Sequence, residues 1–135
     1  MIASFNQIEP QRAIVFGPGA IERAAGLLGE GYTLLSTERA LAGAPSVAER
    51  AGSVVEVPAG YVEVVAARLR PGVAGERLVA LGGGRVIDVA KALAAAEPPR
   101  TVAAIPTTLS GAERPGVHRH AEGVPWEAAR ARPTL

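Results

Sequence analysis

The sequence contains no cysteine, and this absence excludes disulfides, thiolate zinc sites, iron–sulfur clusters and thiol nucleophiles. Neither sign of charge is in clear excess, since 14 basic residues stand against 13 acidic ones. No basic cluster is present that would attract nucleic acid or an anionic membrane. Apolar runs stay shorter than the roughly 18 residues of a membrane span, and the amino end lacks the apolar core of a signal peptide. We therefore expect a soluble, cytoplasmic protein without nucleic-acid or membrane partners.

A chain of 135 residues is long enough for one domain, and 48% hydrophobic against 20% charged residues favours a packed chain over a disordered one. Short runs rich in leucine and β-branched residues predict strands. These strands are predicted at residues 12–16, 32–36, 53–57, 77–81 and 101–105. Most of the runs are apolar throughout, which is typical of parallel strands covered on both faces.

Alanine-rich segments with helical spacing lie between the strands, at residues 20–28, 45–51, 62–69 and 86–96. The alternation of strand and helix predicts an α/β fold with a doubly wound, mostly parallel, Rossmann-like sheet. After residue 113 prolines and glycines recur every few residues, which predicts a loop-rich tail over 114–135 with a short helix near 126–131.

Three consecutive glycines, Gly82 to Gly84, join a buried strand to a helix. Because glycine lacks Cβ, such a turn can adopt positive φ and lets a phosphate approach the main chain. The first turn of the following helix adds unpaired N–H groups and the positive end of its dipole. A plain tight turn is the simpler interpretation, but three glycines favour phosphate binding. The dinucleotide fingerprint itself is not present, because Ile87 stands where its third spaced glycine would fall.

Asp88 and Lys91 lie three residues apart on this helix and project to one face. Lys91 is the only lysine among the 14 basic residues. The two side chains form either a surface ion pair or a pair in which Lys91 is oriented toward a ligand, and both interpretations stay open.

The strand that follows ends in Thr107, Thr108 and Ser110, with Gly111 beside them. If that strand neighbours the glycine turn, both loops line one crevice at the carboxyl edge of the sheet. The hydroxyls would suit a phosphate, a ribose or an amide. Alternatively, the segment is only a turn rich in serine and threonine.

These motifs carry a family resemblance. Residues 82–91 are similar to the Gly-Gly-Gly-Ser-x-x-Asp-x-Ala-Lys box of the iron-containing (group III) alcohol dehydrogenases, a superfamily that includes glycerol dehydrogenase, maleylacetate reductase and dehydroquinate synthase. Residues 105–113 resemble the Pro-Thr-Thr-x-x-Gly-Ser-Glu box that follows in these proteins, and residues 16–21 resemble their first strand and turn.

The resemblance implies an NAD(P)-binding domain of the dehydroquinate-synthase-like amino-terminal type over residues 1–113. It makes residues 114–135 a tail or the start of an interdomain connection. The glycines and Arg85 would hold the pyrophosphate, and residues at the end of the second strand would meet the adenosine ribose. Either NAD or NADP is compatible with the small hydroxyls there. With Lys91 included, the candidate cofactor-binding residues are Gly82, Gly83, Gly84, Arg85, Asp88, Lys91, Thr107, Thr108, Leu109, Ser36 and Thr37.

Two departures from the family pattern stand out. Arg85 replaces the serine of the first box, where it would either clamp a phosphate or crowd it. Family members bind iron or zinc in a helical carboxyl-terminal domain through an aspartate and three histidines, whereas this sequence stops at Leu135 without such a domain. Its only histidines, His118 and His120, are two residues apart, so we expect no metal site here.

The resemblance implies an oxidoreductase that moves a hydride between nicotinamide and an alcohol, a carbonyl compound or a small oxo-acid, with the maleylacetate-reductase branch favoured. We expect this chain to be the cofactor-binding portion only, without catalytic groups and inactive alone. The alternative is a stand-alone nucleotide-binding remnant or regulator. In either case the apolar residues Val117, Val124 and Trp126 would be exposed or paired in a homo-oligomer.

Overall fold

The computed structural model describes residues 4–9, 12–116 and 118–135. The secondary structure alternates as the sequence predicts, after an additional strand at the amino end. In chain order the elements are β1 (Phe5–Glu9), β2 (Arg12–Phe16), α1 (Ala20–Arg23), α2 (Ala25–Leu28), β3 (Thr33–Ser36), α3 (Glu38–Gly43), α4 (Pro45–Arg50), β4 (Ser53–Glu56), α5 (Val62–Leu69), a 3₁₀ turn (Arg70–Gly72), β5 (Arg77–Gly82), α6 (Gly84–Ala96) and β6 (Thr101–Pro106).

A four-stranded parallel sheet in the order β4-β3-β5-β6 forms the centre of the fold. Its two inner strands, β3 and β5, are buried almost throughout, as expected for apolar strands with helices on both faces. The predicted α/β class with a Rossmann-like parallel sheet is therefore confirmed.

The strand predicted at residues 12–16 forms, but it does not join the parallel sheet. It pairs antiparallel with β1 in a separate hairpin, in which Phe5 and Phe16 stack with their ring centroids 5.2 Å apart. The prediction that all the strands alternate with helices in one sheet is wrong for β2. Sequence reasoning missed β1 because Phe5–Glu9 mixes polar and apolar residues and has no turn signal before it.

The helices on the amino-terminal side of the chain depart from the prediction in two ways. The segment 20–28 is divided into α1 and α2 at Ala24, close to Gly26. Residues 38–43, for which we predicted nothing, form α3, because the side chain of Thr37 accepts a hydrogen bond from Ala40 N at 3.3 Å and so caps the first turn.

Two apolar clusters pack on opposite faces of the sheet. In one cluster, residues of α5 and α6 pack against Leu35, Leu78 and Ala80. In the other, residues of α1 to α4 pack against Leu34 and Val79. Neighbouring residues along one strand thus enter different clusters, as the two-residue period of a strand requires.

The tail runs from residue 114 to the last residue without helix or strand among its described positions, so the helix predicted at 126–131 is wrong. Its end returns to the sheet and lies between β2 and β6: Thr134 N donates to Val102 O at 2.8 Å, Ala104 N donates to Leu135 O at 2.7 Å, and Ala13 N donates to Thr134 O at 2.9 Å.

Of the tail residues expected to be exposed, Trp126 is 76% exposed and stacks under Arg130, whereas Val124 packs partly against the core. Val117 lies outside the described residues. Among the helices that are described, none combines the length and apolarity that crossing a bilayer would need.

Candidate functional site

The glycine corner, residues 82–84, joins the buried strand β5 to the 13-residue helix α6. Gly83 precedes the first helical turn with an ordinary extended conformation, φ −79° and ψ −175°. No side chain caps this turn with a hydrogen bond, and the turn carries no acidic residue. Its N–H groups and the positive end of the helix dipole are therefore not offset by a carboxylate, which suits an anion such as phosphate.

The reason for glycine at this corner is close approach rather than backbone conformation. None of the three residues has a positive φ, so the left-handed conformation that glycine allows is not used at this corner. A Cβ on Gly82 would lie 2.9 Å from Val86 Cγ2, and one on Gly84 would lie 2.7 Å from Ser110 Oγ. A side chain at Gly83 would be tight as well, 3.3 Å from Thr108 Cγ2. Residues with a Cβ do not fit at this corner without movement of its neighbours, because atoms from other parts of the chain lie too close to its main chain.

The hydroxyl loop, residues 107–111, follows β6 and lies directly against the glycine corner. Thr107 N donates to Gly82 O at 2.9 Å, which continues the ladder between β5 and β6 by one residue. Thr107, Thr108 and Leu109 are exposed. The structure thus brings the two predicted motifs together at one edge of the sheet.

Ser110 is a further residue of this edge that the sequence-based set of cofactor residues does not include. Its side chain lies over Gly84, and its Oγ accepts a hydrogen bond from Ala112 N at 3.3 Å. The hydroxyl in the Thr-Thr-x-Ser pattern was the only signal available in the sequence.

Lys91 is fully buried, and three acceptors surround its ammonium group. Lys91 Nζ donates to Ala112 O at 2.7 Å and to Pro115 O at 3.2 Å, and it lies 3.0 Å from Asp88 Oδ1. Both sequence-based interpretations of this pair are incomplete, because the lysine ties α6 to the segment after the hydroxyl loop. Asp88 Oδ1 is buried and has no aligned hydrogen-bond donor, so its contact with Lys91 is an ion pair.

Arg85 extends from the start of α6 to the loop between β4 and α5. Its guanidinium donates a hydrogen bond to Pro58 O and is partly buried. In this arrangement the guanidinium is held at the Pro58 side of the corner.

Ser36 and Thr37 end β3 beside the glycine corner, since Ser36 pairs with Leu81 in the sheet. Ser36 is fully buried and its hydroxyl donates to Leu81 O at 2.7 Å. Thr37 is partly exposed, and its oxygen caps α3 while its hydroxyl hydrogen remains available. Of the two, Thr37 is the residue whose side chain can reach a ligand.

The two histidines lie together in the tail, with ring centroids 5.3 Å apart. His118 uses both ring nitrogens within the protein: Nε2 accepts from Ala131 N at 2.9 Å, and Nδ1 lies 3.0 Å from Arg119 O. His118 is thus neutral with its proton on Nδ1. Burial lowers the pKa of His118, and the nearby charges of Lys91 and Arg130 lower it further. Within residues 4–9, 12–116 and 118–135 no group of three potential metal-binding side chains is found.

A cavity of about 920 Å³ lies on the other side of the hydroxyl loop, between the β1–β2 hairpin and β6. Thr107, Thr108 and Leu109 line it, and the three glycines of the corner do not. The cavity therefore reaches the hydroxyl loop but not the glycine corner.

Comparisons with known proteins give the same architecture. No family model matches the sequence, and no curated protein matches it. Solved structures do match, among them maleylacetate reductase from Rhizobium sp. strain MTP-10005, with 28% identity and a TM-score of 0.61, and maleylacetate reductase from Agrobacterium tumefaciens, with 27% identity and a TM-score of 0.62. Each match covers 92% of this chain and 39% of the other, so this chain spans well under half of either enzyme.

In fold, the chain resembles the maleylacetate reductases of the iron-containing alcohol dehydrogenase superfamily.

Proposed function

We propose that this chain binds a nicotinamide dinucleotide, NAD or NADP, at the glycine corner and that it is the cofactor-binding portion of an oxidoreductase. The observation that carries the proposal is the state of the first turn of α6. This turn has no side-chain cap and no acidic residue, and it lies at the carboxyl edge of a parallel sheet beside exposed hydroxyls. That edge is where open α/β sheets bind ligands.

The residues present fit such a cofactor. A diphosphate needs main-chain N–H donors, and the first turn of α6 after Gly83 supplies them. Thr107 and Thr108 place hydroxyls on the exposed side of the same edge. Thr37 offers a hydroxyl hydrogen at the neighbouring strand end, where an adenosine ribose would lie in a Rossmann-like fold.

Asp88 and Lys91 act in this proposal as positioning residues. Lys91 is bound to Ala112 O and Pro115 O, so it holds the segment that follows the hydroxyl loop against α6. Loss of this anchor would free the loop from the corner, and cofactor binding would weaken without any direct contact being lost.

The maleylacetate reductase neighbours favour hydride transfer between nicotinamide and a carbonyl or alcohol group, with a small oxo-acid as the preferred substrate class. When bound, the cofactor supplies the hydride chemistry, and this chain's residues bind and orient it. We place no catalytic residue and no metal in this chain, and we keep a non-catalytic nucleotide-binding module as the second candidate.

The decisive experiment uses Gly83, whose backbone conformation any residue can adopt. In Gly83→Asp the carboxylate would cap α6 and compete with phosphate for the same N–H groups. In Gly83→Asn a neutral side chain of the same size provides the matched control. Both variants need the same small movement away from Thr108.

Calorimetry and thermal unfolding would be measured with NAD(H) and NADP(H). Cofactor at 100 times its Kd should stabilise the wild-type chain by about 2.7 kcal/mol. We expect Gly83→Asp to bind at least about tenfold more weakly than Gly83→Asn because the carboxylate repels the diphosphate. Equal binding by the two variants, or no stabilisation of the wild-type chain, would contradict the proposal. Stabilisation by a mononucleotide alone would favour the second candidate.

A further inference from the structure

NAD and NADP differ by one group, a phosphate on the 2′-oxygen of the adenosine ribose. We propose that the guanidinium of Arg85 binds this 2′-phosphate, so that the site at the glycine corner takes NADP(H) in preference to NAD(H). The inference rests on the proposed function and deepens it, because it assigns the cofactor that the same site selects.

The order of the strands locates the crevice in which a dinucleotide would lie. The chain passes from β3 outward to β4 and then returns across β3 to β5, so the direction of the connections changes between β3 and β5. Ligands of open α/β sheets bind at such a switch point, outside the carboxyl ends of the strands. Gly83 follows β5 and Thr37 follows β3. With the diphosphate at the start of α6, the adenosine ribose lies toward Thr37, since the strand end beside the glycine turn meets that ribose in Rossmann-like folds.

The side chain of Arg85 extends toward the same strand end. Arg85 is the second residue of α6, and its guanidinium donates to Pro58 O in the loop after β4. The ends of β3 and β4 are joined there, since Val57 N donates to Ser36 O at 2.8 Å. Because β3 lies between β5 and β4, the guanidinium reaches past the carboxyl end of β3. It therefore lies on the ribose side of the corner, away from the N–H groups that would hold the diphosphate.

The guanidinium of Arg85 keeps free donors and an uncompensated charge among the described residues. Arginine carries five N–H donors in a planar fork that matches phosphate oxygens. Within the described part of the chain, Pro58 O is its one hydrogen-bond acceptor, and none of the ion pairs includes it. Arg85 is partly buried, so water screens its charge less than that of a fully exposed side chain. A phosphate monoester, with a charge of about −1.5 to −2 near neutral pH, is a partner that matches this group.

Carboxylates near the ribose would have the opposite effect, because they bind the 2′-hydroxyl of NAD and repel a phosphate. Thr37, the residue directly after β3, has no carboxylate. Glu38 follows it and Glu56 lies opposite Ser36 on β4, and both are exposed. Water screens exposed charges, so their repulsion of a phosphate is weaker than the attraction of the partly buried Arg85. The balance of charges at this strand end therefore favours NADP.

The test compares Arg85→Gln with the wild-type chain by calorimetry, with NADPH and with NADH as ligands. We expect the wild-type chain to bind NADPH at least about tenfold more tightly than NADH, as charge-assisted hydrogen bonds would give. In Arg85→Gln, NADPH should bind at least about tenfold more weakly, and the affinity for NADH should change by less than about twofold. Retained binding of NADH also shows that the variant is folded.

Arg68→Gln is the matched control. Arg68 is exposed in the last turn of α5, at the opposite edge of the sheet, so this variant makes the same change of net charge far from the site. Its affinities for both cofactors should equal those of the wild-type chain. Arg85→Lys is a second variant, which keeps the positive charge without the planar fork. Its affinity for NADPH should lie between those of the wild-type chain and Arg85→Gln.

The possible failures separate this inference from the proposed function. Equal affinity of the wild-type chain for the two cofactors, or tighter binding of NADH, would overturn the inference and leave the proposed function in place. An equal loss of both affinities in Arg85→Gln would do the same, because it would place the guanidinium on the diphosphate that the cofactors share. A wild-type chain that binds neither dinucleotide would contradict the proposed function itself, and the inference would fail with it.

Discussion

At the scale of single residues, Lys91 is a residue whose position suggested ligand binding and whose contacts instead stabilise the fold. The sequence singled it out as the only lysine, and both a surface pair and a ligand contact were compatible with its position. The structure buries it completely and satisfies it with Asp88 Oδ1 and two carbonyl oxygens that lie more than twenty positions away in the chain. No local pattern predicts such acceptors, because they belong to an irregular loop.

We predict that Lys91→Met lowers the free energy of unfolding by about 2–4 kcal/mol, because Ala112 O and Pro115 O lose a charged donor in a buried place. Urea unfolding would measure this change. The control is Arg70→Met, which breaks the exposed pair with Glu97 and should cost less than about 1 kcal/mol. Equal losses in the two variants would contradict the anchoring role of Lys91.

His118 makes stability depend on pH. Burial holds its pKa below the usual 6.5, and Nε2 must stay unprotonated to accept from Ala131 N. Above about pH 6.5 the group is neutral in both the folded and the unfolded protein, so the full stability is present. As the pH falls through 6.5 toward the lower folded pKa, the unfolded chain takes up the proton first and stability is lost.

The measurement is the free energy of unfolding between pH 7.5 and pH 5, in parallel with His118→Gln. We expect the wild-type chain to lose more stability than the variant over this interval, since glutamine has no proton to gain. Parallel curves would show that His118 does not titrate in the way its burial implies.

At the scale of elements, the junction of β5 and α6 was predictable and its geometry was not. The buried strand, the glycines and the helix were all recognised, and the structure only moves the helix start to Gly84. The sequence offered positive φ and the approach of a phosphate as reasons for glycine, and the structure shows no positive φ at the corner. It adds a close contact between Gly84 and Ser110, which no local pattern could predict because Ser110 belongs to another loop.

This contact predicts that Gly84→Ala destabilises the protein by about 1–2 kcal/mol, since a methyl group would overlap Ser110 Oγ. Gly26→Ala is the matched control, because nothing lies within 4 Å of its added Cβ and alanine favours a helix by up to about 1 kcal/mol. Thermal unfolding of both variants would give the comparison.

A second substitution tests the cause. Ser110→Gly in the Gly84→Ala background should restore most of the lost stability, giving a coupling between the two sites in a double-mutant cycle. If the two changes in the free energy of unfolding were additive, the steric contact between Ser110 and residue 84 would be excluded as the cause.

At the scale of the whole molecule, the tail connects the β1–β2 hairpin with the parallel sheet, which have no strand pairing with each other. The hairpin and the parallel sheet are separate sheets, and the carbonyl and N–H of Thr134 bond to one strand of each. The loop-rich character of residues 114–135 was predicted from prolines and glycines, but the return of the last residues to the sheet was not.

Removal of Thr134 and Leu135 should therefore loosen the hairpin. Three main-chain hydrogen bonds are lost, so we predict a decrease of about 2–4 kcal/mol in the free energy of unfolding. Hydrogen exchange at the amides of Ala13 and Ala104 should accelerate far more than exchange at Val79 in the centre of the sheet. Removal of Leu135 alone is the control, because it leaves the bond between Ala13 and Thr134. Unchanged exchange at Ala13 in the longer deletion would exclude this role of the tail.

The sequence by itself determined the fold class, the positions of the parallel strands and the two motifs of the candidate site. These follow from hydrophobic runs, helix periodicity and glycine or hydroxyl residues that are close together in the chain. Only the tertiary structure decided that β2 belongs to a hairpin, that Lys91 anchors a loop and that Ser110 lies on Gly84. The physical reason is that strand pairing, buried hydrogen bonds and close contacts join atoms that are far apart in the sequence. Local sequence patterns do not predict such contacts.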